Sequence, residues 1–212
     1  MYRALIGMGG PIFSNGKVFQ RLLVNQFLNS SIASSVSVYP PEADKIFLED
    51  FAENPKLMNL ESSSLELIET KQALFLTSAD LISPDTQSGL DHVAFISSIF
   101  QKFPSAKEEE FLRQVRARSP KARVTAFRLG RIVSAETGSR SLTNIDLIMD
   151  KAYELGSQFM PAKYREISAG DLAQAMRLNY ETCAPEYLKQ GEFVETVDFV
   201  DCMKILGLED RI

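Results

Sequence analysis

Apolar residues along the chain form short runs that alternate with longer segments of helical period. Several short runs are continuously apolar, as strands covered on both faces of a sheet require. The short runs predict strands at Arg3 to Met8, Ser34 to Tyr39, Lys45 to Glu49, Ala73 to Thr77, His92 to Ser97, Arg123 to Arg128 and Glu192 to Thr196. The longer segments predict helices at Lys17 to Leu28, Ser62 to Thr70, Ala106 to Arg118, Asn144 to Leu155, Asp171 to Thr182 and Phe199 to Leu206. This alternation predicts an α/β fold with a doubly wound, mostly parallel, Rossmann-like sheet.

Length and composition indicate one domain and exclude several classes of protein. The 212 residues are 45% hydrophobic and 24% charged, and no repeat or linker divides them, so we expect a single domain over 1–212. A net charge of −5, with no basic run interleaved with aromatics, argues against a nucleic-acid partner. The two cysteines, Cys183 and Cys202, lack CxxC spacing, and His92 is the only histidine, so we expect no metal site.

The sequence also predicts where the protein resides. No apolar stretch reaches the roughly 20 residues that span a bilayer. Met1 leads almost directly into a predicted strand, without a secretory segment. We therefore expect a soluble protein of a reducing, intracellular compartment, and the cytoplasm before an organelle.

The segment from Ser78 to Leu90 predicts a shortened crossover between two strands. A connection between adjacent parallel strands normally needs about a dozen residues and usually holds a helix. Four turn-forming residues interrupt this one: Pro84, Asp85, Ser88 and Gly89. Loss of the helix would uncover apolar side chains on one face of the sheet: Leu74, Leu76, Val93 and Phe95. Monomers rarely leave such a patch in water, so either a neighbouring loop or another protein covers it, and we expect a homodimer or a complex with a protein partner.

A glycine-rich turn follows the first predicted strand and precedes a helix. Its glycines are Gly7, Gly9 and Gly10. In this context glycines let the backbone approach a pyrophosphate at a helix N-terminus. The spacing is imperfect, because a GxxGxxG pattern meets Phe13, whose ring would occupy the space of the phosphates unless Gly16 takes the third role. A dinucleotide-binding turn and a tight turn without a ligand both remain open.

Four later segments follow predicted strands or open a predicted helix. They are Glu49-Asp50-Phe51, Ser97-Ser98, Arg128-Leu129-Gly130, and Ile167 to Met176. With the glycine turn, their order resembles the landmarks of the atypical short-chain dehydrogenase/reductase superfamily. Within it, the chain is similar to the NAD(P)-binding, epimerase-like proteins that include the Tat-interacting oxidoreductase-like group. The resemblance covers most of the chain, and Ile167 to Met176 is among its more specific parts.

The resemblance implies that the protein binds NAD or NADP. The residues that would contact the dinucleotide are Gly7, Gly9, Gly10, Phe13, Asp50 and Arg128. In the family, the acid after the third strand contacts adenine, which corresponds to Asp50. The turn after the sixth strand lines the nicotinamide side, which corresponds to Arg128, although the family's proline is absent. Glu42, with no nearby arginine, favours NAD over NADP. Because Phe13 crowds the phosphates, we expect binding that is weak or absent.

The resemblance also implies a catalytic serine, tyrosine and lysine, which would correspond to Ser98, Phe103 and Lys107. A phenyl ring has no acidic proton, so the tyrosine position is inactive. The spacing departs as well, because the family places about ten residues between serine and tyrosine, whereas Phe103 follows Ser98 by five. Each residue also has a structural alternative to catalysis. Ser98 would form hydrogen bonds at the end of a strand, and Lys107 would be a solvated residue in the first turn of a helix.

Two functions therefore remain open from the sequence. The first is a divergent NAD(P)-binding protein that has lost tyrosine-dependent chemistry and acts as a pseudoenzyme, a cofactor sensor or an assembly partner. The second is an active NAD(P)H-dependent oxidoreductase with another proton donor, such as Ser98, Tyr164 or a water molecule. Turnover of NAD(P)H with carbonyl or quinone substrates distinguishes the two.

Overall fold

The computed structural model of the protein describes residues 1–7, 16–39, 50–58, 71–77, 90–133, 156, 159–182 and 194–212. In this part of the chain, the strands are Tyr2–Gly7 (β1), Ala33–Tyr39 (β2), Lys71–Leu76 (β3), His92–Ser98 (β4), Arg123–Leu129 (β5), Arg131–Val133 (β6), Glu166–Ser168 (β7) and Val194–Val197 (β8). The predicted strands in these ranges are confirmed with small shifts of their ends. The predicted strand from Lys45 to Glu49 lies outside the described residues.

The central sheet has the order β2-β1-β3-β4-β5-β8, and each described pair of neighbours is parallel. Its strand order reverses at β1, which has β2 on one side and β3 on the other. This arrangement confirms the doubly wound, Rossmann-like sheet. The strands β6 and β7 pair in parallel as a separate, small sheet. Neither was predicted, because three residues are too few to show a period of two.

The helices in the described part of the chain are Gly16–Leu28 (α1), Ala106–Arg118 (α2), Ala169–Thr182 (α3) and Phe199–Leu206 (α4), with short 3₁₀ helices at Ala162–Tyr164 and Glu209–Arg211. Helix α2 begins where the sequence predicts it, because Ser105 and Glu108 form a reciprocal capping box. Helix α3 begins two residues before the predicted Asp171. There, Ser168 Oγ accepts a hydrogen bond of 2.9 Å from the Asp171 amide. The predicted helices from Ser62 to Thr70 and from Asn144 to Leu155 lie in ranges that the structure does not describe.

Apolar side chains pack on both faces of the sheet. On one face, alternate residues of β1 to β5 pack with α1, α3 and α4. On the other, residues of β3, β4 and β5 pack with Phe111 and Val115 of α2. The second face includes the side chains that we expected to lack cover: Leu74, Leu76, Val93 and Phe95. Each is at most 1% exposed in the single chain, so the chain itself covers this patch, and the expected homodimer or protein partner stays a prediction. The crossover at 78–89 itself lies outside the described residues.

Buried charges at the amino end of the sheet are paired within the fold. Glu181 accepts hydrogen bonds of 2.8 Å from the Tyr2 hydroxyl and from Arg177. Burial and this carboxylate raise the pKa of Tyr2. Between β5 and β8, Arg123 and Glu195 form an ion pair of 2.6 Å. These groups hold strands and helix α3 together at the amino end of the sheet. Ligands of doubly wound proteins bind at the opposite end, outside the carboxyl ends of the strands.

Candidate functional site

The carboxyl ends of β1 and β3 meet where the strand order of the sheet reverses. Gly7 ends β1 and pairs in register with Leu76, which ends β3. Ligands of doubly wound proteins bind in the crevice outside such a reversal. A Cβ atom on Gly7 would lie 2.2 Å from Leu76 Cδ2, so a larger residue here would force the buried Leu76 side chain to shift. The remaining predicted residues of the turn, Gly9, Gly10 and Phe13, lie outside the described residues.

The acid predicted to contact adenine lies beside the first helix. The Asp50 carboxylate forms an ion pair of 2.7 Å with Arg21 of α1, and both side chains are about half exposed. The segment that follows runs along the outer edge of β2, where Val36 donates to the Lys56 carbonyl and accepts from the Met58 amide, both at 2.8 Å. Asp50 is therefore near the helix that follows the glycine turn, but its carboxylate already has a cationic partner.

The predicted catalytic serine stabilises the turn after β4. Ser98 Oγ accepts a hydrogen bond of 3.3 Å from the Phe100 amide. The Ile99 amide donates to the Leu129 carbonyl at 3.0 Å, which continues the pairing of β4 with β5 beyond the end of β4. The Ser98 side chain is partly exposed at the carboxyl edge. Its hydroxyl thus has a structural role and remains accessible from this edge.

Arg128 holds the same turn from the neighbouring strand. Its Nη2 donates to the carbonyl oxygens of Ser98 at 3.3 Å and Gln101 at 2.7 Å. Its guanidinium carbon lies 5.0 Å from the centre of the Phe103 ring. Among the described residues, no partner is found for its buried Nε. The arginine predicted to line the nicotinamide side therefore fixes the backbone of the turn after β4.

Phe103 and Lys107 do not share one helix as a catalytic tyrosine and lysine would. Helix α2 is capped by Ser105, so Phe103 lies before its first residue. The Phe103 ring packs on Phe95, with ring centres 6.4 Å apart and an interplanar angle of 27°. Lys107 is exposed in the first turn of α2. The structure brings Ser98, Phe103 and Arg128 together around one turn, with Lys107 on the helix that follows.

A stacked pair of aromatic rings at this edge was not foreseen. The rings of Phe100 and Tyr164 are 5.7 Å apart and inclined by only 12°. Lys163 Nζ lies 4.9 Å from the centre of the Tyr164 ring. A Cβ on Gly130 would lie 2.8 Å from the Tyr164 carbonyl oxygen and 3.5 Å from Phe100 Cε2. Tyr164 and Gly130 were singled out in the sequence, but no local signal joins them to Phe100 or Lys163.

Metal and thiol chemistry find no support in the residues that the structure describes. Within them, no group of three or more His, Cys, Asp or Glu side chains is placed to hold a metal ion. Cys202 is buried in α4, and burial raises the pKa of its thiol, which makes it a poor nucleophile. Cys183 is not among these residues. No helix in the described ranges is long and apolar enough to cross a membrane.

Comparisons with known proteins find a likeness among solved structures but none among family models or curated sequences. No family model matches the chain, and no curated protein sequence matches it. Among solved structures, the chain is similar to UDP-N-acetylglucosamine 4-epimerase from Bacillus cereus. The two are 8% identical with a TM-score of 0.49, over 99% of this chain and 84% of that one. This likeness concerns the fold alone.

Proposed function

We propose that the protein is a divergent NAD(P)-binding protein of the Rossmann fold that has lost tyrosine-dependent reductase chemistry. It would act as a pseudoenzyme, either as a sensor of the cofactor or as a partner in an assembly. The observation that carries this proposal is the reversal of strand order at Gly7 and Leu76. The crevice outside such a reversal is where this architecture binds dinucleotides.

The residues on each side of the reversal suggest how a dinucleotide would lie. The adenine end would lie toward Asp50, near helix α1, and the phosphates at the turn that begins with Gly7. The nicotinamide end, which supplies or accepts a hydride in active relatives of this fold, would lie toward Ser98. Binding is expected to be weak because Asp50 is paired with Arg21 and Arg128 is engaged with backbone carbonyls.

Calorimetric titration with NADH and NADPH tests this proposal. We expect weak binding, NADH ahead of NADPH, that falls about tenfold in Asp50→Asn because the hydrogen-bond acceptor at this position loses its charge. Asp91→Asn is the matched control, since Asp91 precedes β4 at the opposite edge of the sheet and its carboxylate accepts from the Gln72 amide. Tight binding that survives Asp50→Asn would show that the assigned site is wrong.

One arrangement favours the second candidate, an active NAD(P)H-dependent oxidoreductase. Tyr164 is stacked on Phe100, two residues beyond Ser98, and the ammonium of Lys163 is close to its ring. Its hydroxyl would then protonate the carbonyl oxygen as a hydride reaches the carbonyl carbon, and water would restore the proton. Oxidation of NAD(P)H with a panel of carbonyl and quinone substrates tests this candidate. Turnover that is lost in Tyr164→Phe, but not in Tyr180→Phe, would support it.

A further inference from the structure

The Phe100 ring is exposed yet held in place. Its side chain is 61% exposed, although one face of the ring stacks on Tyr164. Gly130 leaves space for the Tyr164 backbone, whose carbonyl oxygen would lie 2.8 Å from a Cβ at that position. The backbone before and after Phe100 is fixed by the Arg128 hydrogen bonds to Ser98 and Gln101. An aromatic ring fixed in this way loses little conformational entropy when a ligand stacks on it.

Among the described residues, the segments that carry the ring pair and Gly130 are basic in an acidic protein. The chain has a net charge of −5, but the three segments 98–105, 128–133 and 159–165 contain no Asp or Glu. Their basic residues are Lys102, Arg128, Arg131, Lys163 and Arg165. A carboxylate partner is seen for Arg131, whose Nη1 lies 3.7 Å from Glu166. Arg128 donates to backbone carbonyls, which leaves its positive charge in place, whereas Arg165 donates to the Arg211 carbonyl and to an oxygen of Ile212.

Lys163 places one of these positive charges beside the ring pair. Its side chain is exposed, and its ammonium lies 4.9 Å from the centre of the Tyr164 ring. An ammonium over an aromatic face is attracted by the ring and is kept near it. Lys163 therefore keeps a positive charge beside the stacked pair of rings.

We propose that Phe100, Tyr164 and Lys163 form a binding site for a planar aromatic ligand that carries an anionic group. The aromatic ring of the ligand stacks on Phe100, and its carboxylate, sulfonate or phosphate pairs with Lys163. The site lies at the carboxyl edge, next to Ser98, and it gives the substrate side of the proposed dinucleotide site. The placement of this site beside a dinucleotide rests on the proposed function. Binding of the aromatic ligand does not require the dinucleotide.

Binding of 2-naphthoate tests the site directly. The chain contains no tryptophan, so the fluorescence of the naphthyl group can be followed without an indole background. We expect saturable binding that weakens about fivefold in Phe100→Leu, from the loss of a stacking contact. A similar loss is expected in Lys163→Gln, and added salt should weaken binding to the wild type but not to this variant. Neutral 2-naphthamide should bind less tightly and be insensitive to Lys163→Gln.

Two control variants distinguish binding at this site from nonspecific binding to exposed aromatic and basic side chains. Phe159→Leu removes another exposed phenylalanine, which is 88% exposed, and Lys121→Gln removes another exposed lysine. Both should bind 2-naphthoate as the wild type does. Phe100 and Lys163 are exposed enough that their variants should keep the wild-type circular dichroism spectrum and unfolding midpoint. Absence of saturable binding, or equal losses in site and control variants, would overturn the proposal.

Two further titrations distinguish this proposal from the proposed function. Asp50→Asn should leave the affinity for 2-naphthoate unchanged. If the wild type binds 2-naphthoate but neither NADH nor NADPH, only the proposed function is refuted. NADH should not displace 2-naphthoate if the site belongs to a second ligand. Displacement by NADH would show that the rings bind the dinucleotide itself and would overturn the assignment of a separate aromatic ligand.

Discussion

The guanidinium of Arg128 stacks over the Phe103 ring, at 5.0 Å from its centre, while Nη2 of the same arginine bonds the backbone of the turn after β4. Phe103 is the residue that the family resemblance aligns with a catalytic tyrosine. Here its ring packs on Phe95 and supports an arginine. Arg128, predicted to line the cofactor, and Phe103, at the position of the family's tyrosine, thus stabilise the edge of the sheet on which the candidate site is built.

Replacing Arg128 should loosen this edge. Arg128→Gln loses charge-assisted hydrogen bonds and the contact with Phe103, and we expect a loss of about 1–2 kcal/mol in the free energy of unfolding. Urea denaturation measures it. The control Lys121→Gln, on an exposed side chain, should stay within about 0.5 kcal/mol of the wild type. Equal stability of the two variants would mean that the hydrogen bonds to the turn contribute nothing.

Phe103→Tyr should fold but should not gain reductase activity. The ring lies before helix α2 and packs toward Phe95, so the new hydroxyl would not lie where a tyrosine on the helix would put it. A misplacement of about 1 Å can cost roughly 10²-fold in rate. NAD(P)H oxidation by wild type and variant, with the same carbonyl substrates, measures the effect. Robust turnover by the variant would show that the catalytic geometry is intact and that only the acid was lost.

Gly7→Ala should destabilise the fold even when no ligand is present. The added methyl group overlaps Leu76, whose side chain is fully buried, and overpacking of this kind costs about 1–3 kcal/mol. Gly156→Ala is the matched control, because a Cβ there meets nothing within 4 Å. Gly156→Ala should therefore leave the free energy of unfolding within about 0.5 kcal/mol of the wild type. Urea unfolding midpoints compare the two, and equal midpoints would contradict the strand-packing role of Gly7.

His92 should make the protein sensitive to acid. Its imidazole is buried between Phe75 and Tyr180, and no partner is found for either ring nitrogen among the described residues. Burial, with Arg123 nearby, lowers the pKa of His92 to about 3. The unfolded chain, with an ordinary pKa of about 6.5, binds a proton that the folded chain rejects. Stability is therefore lost as the pH falls from about 6.5 toward 3.

His92→Leu tests this dependence. At pH 5 the unpaired imidazole should cost the wild type about 2 kcal/mol relative to neutral pH, and leucine removes that cost. Urea unfolding at pH 7.5 and pH 5 measures it, since all other titrating groups are common to both proteins. The stability of the variant relative to the wild type should rise by about this amount at the lower pH. An unchanged difference would mean that the imidazole is protonated in the folded state.

The sequence by itself determined the main elements and the layers of the fold. Continuous apolar runs at β1, β3 and β4 can be buried only between two layers, which dictates a parallel sheet covered on both faces. The ends of two helices are also set by residues close in sequence. Ser105 caps α2 together with Glu108, three residues away, and Gly207 ends α4 with a φ of 68°. Signals of this kind depend on close neighbours in the chain, so a pattern of residue types reveals them.

Only the tertiary structure decided which side chains meet at the carboxyl edge. Phe100 and Tyr164 come from distant segments, and Gly130 allows the Tyr164 backbone to approach, because a Cβ there would lie 2.8 Å from the Tyr164 carbonyl oxygen. The sequence assigned Arg128 to a cofactor, but the path of the turn after β4 brings backbone carbonyls to its guanidinium. It also left apolar residues of β3 and β4 uncovered, yet they are buried in the single chain. Side-chain directions and the paths of loops set such contacts, and residue types alone do not encode them.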